Sequence, residues 1–401
     1  MTGLGENQDT TVDRSGVVTW SMPGMDGLPP SARGGHSTLL AGQRLVIFGG
    51  HYFGGEGFFV YLNDTYVLDL ASSTWCQVKC EGKPPAPRYN HSATLIGNKM
   101  FVFGGKGDKG VLFRDMYYLD LESWHWFSVN WTTESPSERF GHADLAVGTK
   151  LVIFGGYSPL NPSDSTSDSV SDSNGQRRWD GSSKTYKDLW VFDTESFAWI
   201  KPKVTGTPPT PRHGHTMSLL EDGRILVFGG YMLQTSGGGD ISGEYHKDVY
   251  TLDTETMAWT RPRTMGDFPL GTFGHTTSLD GQKLYVVGGW SGTERSQIYM
   301  GDKLVHETAK SLAREQRLQS GSTVSAKSFK AELATSKYLH VLDVATMEWY
   351  CPPSQGIEVA NRYGHTATIV GPHLFLFGGW DGNRALHQLV VADFPVPSMS
   401  Y

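Results

Sequence analysis

The chain has 401 residues, 49 of them glycines, with 38% hydrophobic and 12% aromatic residues and a formal net charge of −7. This composition favours a large all-β core, while the negative balance gives no overall electrostatic reason to expect a nucleic acid or an anionic membrane as partner. Three cysteines do not make a disulfide framework, and no apolar run reaches the roughly 18 residues of a transmembrane helix.

The first residues, beginning "MTGLGENQDTT", are polar and lack the basic and apolar regions of a signal peptide. We expect residues 1–15 to be a flexible N-terminus and the protein to be cytoplasmic. The short stretch "GVVTWSM" follows, centred on Trp20, and has the composition of a strand.

A six-fold repeat begins after this stretch. In chain order its first half reads "SARGGHSTLLAGQRLVIFGGH", "APRYNHSATLIGNKMFVFGGK", "SERFGHADLAVGTKLVIFGGY", "PRHGHTMSLLEDGRILVFGGY", "LGTFGHTTSLDGQKLYVVGGW" and "ANRYGHTATIVGPHLFLFGGW". The recurring histidines, called marker histidines here, are His36, His91, His142, His215, His275 and His365. A Gly-Gly pair follows each after 13 or 14 residues, and the pattern predicts two short strands joined by a turn.

The second half of the repeat carries an aromatic-aliphatic-Asp signature and a Trp six residues later. The pairs are Asp69 with Trp75, Asp120 with Trp126, Asp193 with Trp199, Asp253 with Trp259, and Asp343 with Trp349. Each Trp stands 16 residues before the next marker histidine, and Trp20 keeps the same distance from His36. The repeat therefore predicts four strands, a to d in chain order, with the tryptophans as core residues on strand d.

The last repeat ends after its third strand, at "LVVADF". The stretch around Trp20 can supply the missing strand d, so the two ends of the chain are predicted to pair in one sheet. This pairing closes the repeats into a ring and removes open sheet edges.

The Gly-Gly pair, the Arg-x-Gly-His motif and the spaced aromatic residue and Trp resemble kelch repeats over nearly the whole chain. The resemblance implies an all-β fold, a six-bladed kelch β-propeller with four antiparallel strands per blade, at residues 16–396 and followed by a tail at 397–401. Blade 6 then comprises 362–394 plus 16–22. The kelch family includes Rab-effector-like proteins, cell-polarity scaffolds and substrate receptors of ubiquitin ligases, which implies a non-catalytic, monomeric interaction module.

All length variation between the repeats lies between strands b and c, where long insertions occupy 157–187 and 291–337. In an antiparallel meander the b-c connections emerge on the same side as the d-a connections. We call this side the insertion face. Because loops raised on a rigid scaffold commonly carry binding residues, the insertion face is the predicted binding surface.

The two insertions differ in character. The first is rich in Ser and Asp, which favours disorder, and Ser165 and Ser169 stand three residues before an Asp as an acid-directed kinase prefers. A plain solvated loop is the alternative there. In the second, Val305, Ala309 and Leu312 share one helical stripe and predict a short amphipathic helix that packs on blade 5 or walls the insertion face.

The predicted binding residues form an arginine series and two aromatic-rich series. The arginines are Arg33, Arg88, Arg139, Arg212 and Arg362, with Thr272 in the fifth repeat. After the arginine positions come Gly34, Tyr89, Phe140, His213, Phe273 and Tyr363, and after the Gly-Gly pairs come His51, Lys106, Tyr157, Tyr231, Trp290 and Trp380.

Each series has two interpretations. A guanidinium ring would favour a carboxylate-rich or phosphorylated partner, whereas structural arginines would tie each blade to the next through backbone carbonyls. Aromatic side chains at the mouth would favour a peptide or protein partner, whereas the alternative is local packing. The predicted partner is a protein or peptide, acidic ones included, and no nucleic acid.

The sequence carries no catalytic, cofactor or metal motif that stands on its own. The marker histidines are dispersed over six repeats, and the Gly-Gly pairs lack the Lys-Ser/Thr context of a phosphate loop. Kelch enzymes of glucosinolate breakdown carry an iron site resembling Glu-x3-Asp-x3-His, and the nearest match is Glu244 and Asp248 followed by Leu252. The third ligand is missing, so a metal-dependent kelch enzyme is kept only as the alternative, and we predict no cofactor.

Overall fold

The computed structural model describes residues 16–55, 58–159, 183–235, 241–291, 299–300, 303–304 and 338–395. In these ranges the chain forms 35 strands, β1–β35, and one short 3-10 helix at Asp108–Gly110. The first strand, β1, is Val18–Ser21.

The first three blades follow in chain order. Blade 1 consists of β2 (Asp26–Gly27), β3 (Ser37–Ala41), β4 (Arg44–Gly55), β5 (Phe58–Asp69) and β6 (Thr74–Val78). Blade 2 consists of β7 (Glu81–Gly82), β8 (Ser92–Ile96), β9 (Lys99–Phe103), β10 (Met116–Asp120) and β11 (His125–Val129). Blade 3 consists of β12 (Ala143–Val147), β13 (Lys150–Phe154), β16 (Leu189–Asp193) and β17 (Ala198–Ile200), with a hairpin of β14 (Tyr157–Pro159) and β15 (Ser183–Thr185) between its middle strands.

The remaining blades repeat the arrangement. Blade 4 contains β18 (Thr205–Gly206), β19 (Thr216–Leu219), β20 (Arg224–Phe228), β23 (Val249–Asp253) and β24 (Ala258–Thr260), and its hairpin is β21 (Tyr231–Thr235) with β22 (Ile241–Tyr245). Blade 5 contains β25 (Met265–Gly266), β26 (Thr276–Asp280), β27 (Lys283–Val287), β30 (Leu339–Asp343) and β31 (Glu348–Tyr350), and its hairpin is β28 (Tyr299–Met300) with β29 (Lys303–Leu304). Blade 6 contains β32 (Ser354–Gly356), β33 (Thr366–Val370), β34 (His373–Phe377), β35 (Leu389–Asp393) and β1.

The predicted six-bladed propeller and its ring closure are confirmed. Strand β1 pairs antiparallel with β35, with Trp20 opposite Ala392, and so completes blade 6 as its strand d. The chain therefore joins its first described strand to its last in one sheet.

The tryptophans form the core between blades, as predicted. Each is at most 5% exposed, and five of the six pack against the strand-b phenylalanine of the preceding blade. The pairs, with ring-centroid distances, are Trp75–Phe377 (5.4 Å), Trp126–Phe48 (4.9 Å), Trp199–Phe103 (5.1 Å), Trp259–Phe154 (5.2 Å) and Trp349–Phe228 (5.1 Å). In blade 5 Val287 stands where the others have Phe, and Trp20 contacts Tyr338 instead, at 5.8 Å.

Five blades carry a short parallel strand outside strand d, which the sequence reasoning did not predict. Each contains a glycine seven residues after the preceding Trp, with φ between 71° and 94°, and an added Cβ would lie 2.1–2.5 Å from the carbonyl oxygen of a strand-d Trp. The glycines are Gly27, Gly82, Gly206, Gly266 and Gly356. Blade 3 has Thr133 at this position, and the Thr133 hydroxyl accepts a hydrogen bond from the Trp199 N–H instead.

Several predictions concern residues that the structure does not describe. The candidate helix from Val305 to Leu312, the candidate phosphorylation sites Ser165 and Ser169, and both terminal segments lie outside the described ranges. Across the residues that are described, no helix has the length and apolar character needed to cross a membrane.

Candidate functional site

A closed ring of backbone hydrogen bonds surrounds the propeller axis at the start of the six a strands. Each residue before a marker histidine donates its N–H to the equivalent residue of the preceding blade, at 2.7–2.9 Å. The members are Gly35, Asn90, Gly141, Gly214, Gly274 and Gly364. All six have φ between 49° and 64°, a left-handed conformation that glycine and asparagine adopt at low cost. This ring fixes the relative positions of the six blades at the insertion face.

All six marker histidines are buried, and four of them hydrogen-bond to the neighbouring blade. The Nε2 atom of His91 lies 2.9 Å from the Ser37 hydroxyl of blade 1, and His36, His275 and His365 make equivalent contacts with Thr366, Thr216 and Thr276. Burial, helped by the positive charge of Arg88, lowers the pKa of His91 to about 3. At neutral pH these imidazoles are uncharged. Their hydrogen bonds to hydroxyl groups of the neighbouring blade support a scaffold role.

Four of the five arginines form buried ion pairs inside their own blades. Arg88 Nη1 donates to Asp115 Oδ1 at 2.7 Å and to the Gly104 carbonyl at 2.9 Å, while Nη2 donates to Asp115 Oδ2 at 3.0 Å. The equivalent pairs are Arg33–Asp64, Arg139–Asp188 and Arg212–Asp248. The four arginine side chains are 0% exposed, so their guanidinium groups are enclosed and already bound to carboxylates.

The tie between blades uses the arginine backbone rather than its side chain. The Gly50 N–H donates to the Arg88 carbonyl at 2.9 Å, and the equivalent bond recurs at all six junctions, five times to an arginine carbonyl and once to that of Thr272. The structural interpretation, in which each Arg ties its blade to the next through backbone carbonyls, therefore applies to the arginine peptide group and not to its side chain. The arginine side chain binds groups within its own blade, and the arginine carbonyl accepts a hydrogen bond from the preceding blade.

Blades 5 and 6 depart from the Arg–Asp pattern. In blade 5 the two positions are held by Thr272 and Tyr338. In blade 6 Arg362 is retained, but Gln388 stands where the other blades have Asp, and it accepts from Arg362 Nη2 at 3.3 Å. Of the carboxylates that the structure describes, none forms an ion pair with Arg362. Burial lowers the pKa of Arg362.

The structure brings the two aromatic-rich series together. In every blade the residue after the arginine position bridges to the residue after the Gly-Gly pair, in the order Gly34–His51, Tyr89–Lys106, Phe140–Tyr157, His213–Tyr231, Phe273–Trp290 and Tyr363–Trp380. The d-a and b-c connections therefore meet on one side of the propeller.

These side chains form a nearly continuous aromatic surface around the axis, which we call the mouth ring. Its ring-centroid distances are His51–Tyr89 4.0 Å, Tyr89–Phe140 6.2 Å, Phe140–His213 6.4 Å, His213–Phe273 6.2 Å, Phe273–Tyr363 5.9 Å and His51–Trp380 5.2 Å. Gly34 leaves room for the Trp380 indole, because a Cβ there would lie 2.1 Å from Cδ1 of that ring. Tyr89, Phe140, Phe273 and Tyr363 are half-buried, whereas Tyr157, His213, Tyr231, Trp290 and Trp380 are buried.

An aromatic hairpin of blade 1 extends the mouth ring, and sequence reasoning missed it. Strands β4 and β5 have 12 residues each, where the other b and c strands have five. Their far ends pair His51 with Tyr61 and Phe53 with Phe59, which places these four rings on one face of the hairpin. Phe59 and Tyr61 reach Trp380 and Tyr89 at 5.9 and 5.7 Å.

The tip of this hairpin is exposed. Phe53 is 43% and Phe58 52% exposed, although both are large apolar side chains. The alternating run "GGHYFGGEGFFVYLND" was the signal that could have predicted the hairpin.

The residues considered for an enzymatic iron site are spread over different environments. Asp248 is bound to Arg212 at 2.8 Å, Leu252 is a core residue with 1% exposure, and Glu244 contacts His246 Nδ1 at 3.7 Å. Within the described ranges, no three His, Cys, Asp or Glu side chains are grouped as metal ligands.

Two protein-family models match different parts of the chain. The model described as "KLHDC2/KLHL20/DRC7 Kelch-repeats domain" matches residues 174–309. The model described as "Attractin/LZTR1 beta-propeller" matches residues 51–179. The matched ranges meet in blade 3 and its insertion.

Similar proteins include the host cell factors. The chain is 28% identical to Host cell factor of Drosophila melanogaster over 375 residues, which is 89% of this chain and 21% of that protein. It is 26% identical to human Host cell factor 2 over 381 residues, which is 90% of this chain and 41% of that protein. The chain is also 28% identical to Acyl-CoA-binding domain-containing protein 5 of Arabidopsis thaliana, over 67% of this chain and 38% of that protein. The chain thus spans less than half the length of these relatives.

Proposed function

Since the chain is a six-bladed kelch-repeat β-propeller, we propose that it is a non-catalytic protein-interaction module that binds a peptide or protein on the insertion face. The observation that supports this proposal best is the continuous aromatic surface of the mouth ring and the blade-1 hairpin. Aromatic side chains bury large areas with little loss of rotamer entropy and are enriched at the centres of protein interfaces.

The exposure pattern of this surface supports an interface rather than a core alone. Phe140, Phe273 and Tyr363 contact the buried rings of Tyr157, Tyr231 and Trp290, and Tyr89 contacts the half-buried His51 and Tyr61 rings. All four keep part of their area exposed. Phe53 and Phe58 are exposed, and they lie in the far part of the β4–β5 hairpin, where the described strands β3 and β6 no longer pair with it. Rigid aromatic groups on a fixed backbone lose little freedom when a partner binds.

The test compares a triple variant of the insertion face with a double variant of exposed apolar residues elsewhere. Phe53→Ala, Phe58→Ala and Tyr363→Ala together alter the insertion face, whereas Phe127→Ala and Ile200→Ala alter strand d residues with 40% and 45% exposure elsewhere. We expect affinity capture followed by mass spectrometry to lose specific partners with the first set and to keep them with the second. Thermal unfolding identifies any variant that is misfolded. Full capture by a folded insertion-face variant would overturn the proposal.

We further propose that the protein acts as a monomer in the cytoplasm, with the propeller at residues 16–396. The closed ring supports a single-chain unit, because no blade needs a strand from a second copy. Light scattering on the purified protein and cell fractionation test these two points separately.

A further inference from the structure

Blade 6 contains a buried guanidinium group that lacks the carboxylate found in four other blades. Arg362 is 2% exposed; it donates to the Gly378 carbonyl at 3.2 Å, the Gln388 side-chain oxygen at 3.3 Å and the Ala360 carbonyl at 3.3 Å, and the neutral Tyr338 phenol also lies against it. In blades 1 to 4 the equivalent Nη1–Oδ1 distances are 2.6–2.8 Å. The guanidinium of blade 6 is therefore bound only by neutral oxygens, at longer range.

An unpaired buried charge is unfavourable, because the attraction of an opposite charge no longer offsets its lost hydration. A glutamine offers one neutral acceptor where an aspartate offers two charged oxygens in the planar geometry that a guanidinium prefers. The exchange of Asp for Gln thus leaves Arg362 with unused capacity for an anion.

The other groups near Arg362 do not supply that anion. Tyr338 contributes a buried, uncharged phenol, since burial raises the pKa of Tyr338. Asp381 is near enough to act electrostatically on Arg362. Its carboxylate, however, accepts hydrogen bonds from the Asn383 and Arg384 N–H groups and lies 3.7 Å from Arg384 Nε.

The position that the aspartate holds in blades 1 to 4, and Gln388 in blade 6, is partly open to solvent. In blades 1 to 4 the aspartates that fill it are 16–39% exposed, although their arginine partners are fully buried. Gln388, which takes the position in blade 6, is likewise partly exposed. Tyr363 of the mouth ring directly follows Arg362 in the chain, so the two residues share the same d-a connection of blade 6.

We propose that Arg362 is a carboxylate-binding site: a carboxylate of the partner displaces the Gln388 amide and occupies the place of the aspartate in blades 1 to 4. The site rests on the proposed function, since the partner that covers the mouth ring provides the group. It selects a carboxylate by two parallel hydrogen bonds to one guanidinium rather than by general positive charge.

The test uses acetate as the probe, with chloride at the same ionic strength as reference. We expect acetate to raise the unfolding temperature of the unmodified protein. In Gln388→Asp the carboxylate is supplied within the chain, so this variant starts at a higher unfolding temperature and loses the acetate-specific increase. Equal acetate responses of the two proteins would overturn the proposal.

A matched variant places a glutamine opposite the arginine of another blade. Asp115→Gln gives Arg88 the same neutral partner as Arg362, and we expect a lower unfolding temperature and a larger acetate-specific increase than in the unmodified protein. An acetate response that is no larger than that of the unmodified protein would count against the mechanism.

The source of the carboxylate is separated by two further probes. N-acetylglycine carries a C-terminal carboxylate and N-acetylaspartate amide carries a side-chain carboxylate, and the one with the larger Gln388-dependent effect identifies the source. These measurements need no partner protein. If acetate has no effect but the aromatic variants lose their partners, the Arg362 site is wrong and the proposed function stands. If acetate acts as expected but the aromatic variants keep their partners, the site stands and the proposed function is wrong.

Discussion

At the scale of single residues, the propeller depends on buried polar side chains, most of which pair with a residue distant in the chain. The Arg–Asp pairs join residues 27 to 49 positions apart, and the marker histidines contact hydroxyls 54 to 330 positions away. Sequence spacing shows that these residues recur, but it contains no local signal for such distant partners. The arginines could therefore be interpreted as a ligand-binding ring until the register of the blades was known.

The buried histidines predict loss of stability in acid. In the unfolded chain histidine titrates near 6.5, whereas burial lowers the pKa of His142, His275 and His365 to about 3 in the folded protein. Between these values the unfolded chain binds more protons, so the free energy of unfolding falls as pH drops from about 6.5 toward 3. Urea unfolding at pH 7.5 and pH 5.0 measures this, and equal midpoints would contradict it.

Removal of one buried arginine is expected to destabilise the fold. Arg139→Met deprives Asp188 and the Gly155 carbonyl of their donor, and we expect a loss of about 2–4 kcal/mol in the free energy of unfolding. Arg384→Met is the control, since Arg384 is 81% exposed and its loss is expected to change stability by about 0.5 kcal/mol at most. Chemical denaturation of both variants compares them directly.

At the scale of strands, the repeat pattern predicted each blade but not the departures from it. The continuous apolar run that ends at Gly-Gly predicts strand b in every copy, because both faces of a strand in the middle of a blade are buried between blades. The outer parallel strands were missed since each depends on one glycine beside a Trp carbonyl, and the blade-1 hairpin was missed since its aromatic run lies in the variable b-c region.

The interface between blades 3 and 4 contains a cleft that can be filled. A cavity of about 420 Å³ is lined by Val152, Val191, Ile225 and Leu252 among others. The residue equivalent to Val152 in blade 2 is Phe101, which fills its interface. We expect Val152→Phe to raise the free energy of unfolding by about 1 kcal/mol.

The control for this filling is the equivalent position in blade 1. Val46 is 1% exposed in a packed cluster with Phe48 and Trp126, so Val46→Phe is expected to lower stability by about 1–3 kcal/mol. If both variants change the unfolding midpoint in the same direction, the cleft does not accommodate a phenylalanine side chain as proposed.

At the scale of the whole molecule, the ring is complete only when β1 joins blade 6. Val18 and Trp20 of β1 belong to the same buried cluster as Val390 and Ala392 of β35, and the cluster extends into blade 5 through Tyr285 and Val341. The order of the repeats allowed this closure to be predicted, because the last repeat lacks its strand d and the stretch around Trp20 precedes the first complete repeat.

Removal of residues 1–22 is therefore expected to abolish cooperative unfolding of the propeller, because it exposes β35 and the core beside it. Removal of residues 1–15 alone is the control and is expected to leave the unfolding temperature unchanged. A synthetic peptide of residues 16–24 should restore part of the loss when added to the longer deletion. Unchanged calorimetric transitions after the longer deletion would disprove the role assigned to β1.

The antiparallel pairing of β1 with β35 also determines how the molecule responds to mechanical force. Thr19 lies opposite Asp393 and Ser21 opposite Val391, so the chain enters and leaves blade 6 at the same end of this strand pair. Tension applied through the two ends pulls across the strands and loads their hydrogen bonds one after another, as in an unzipping geometry, rather than all together in shear. The strand pair that completes the ring is thus loaded in its mechanically weaker direction when the two chain ends are pulled apart.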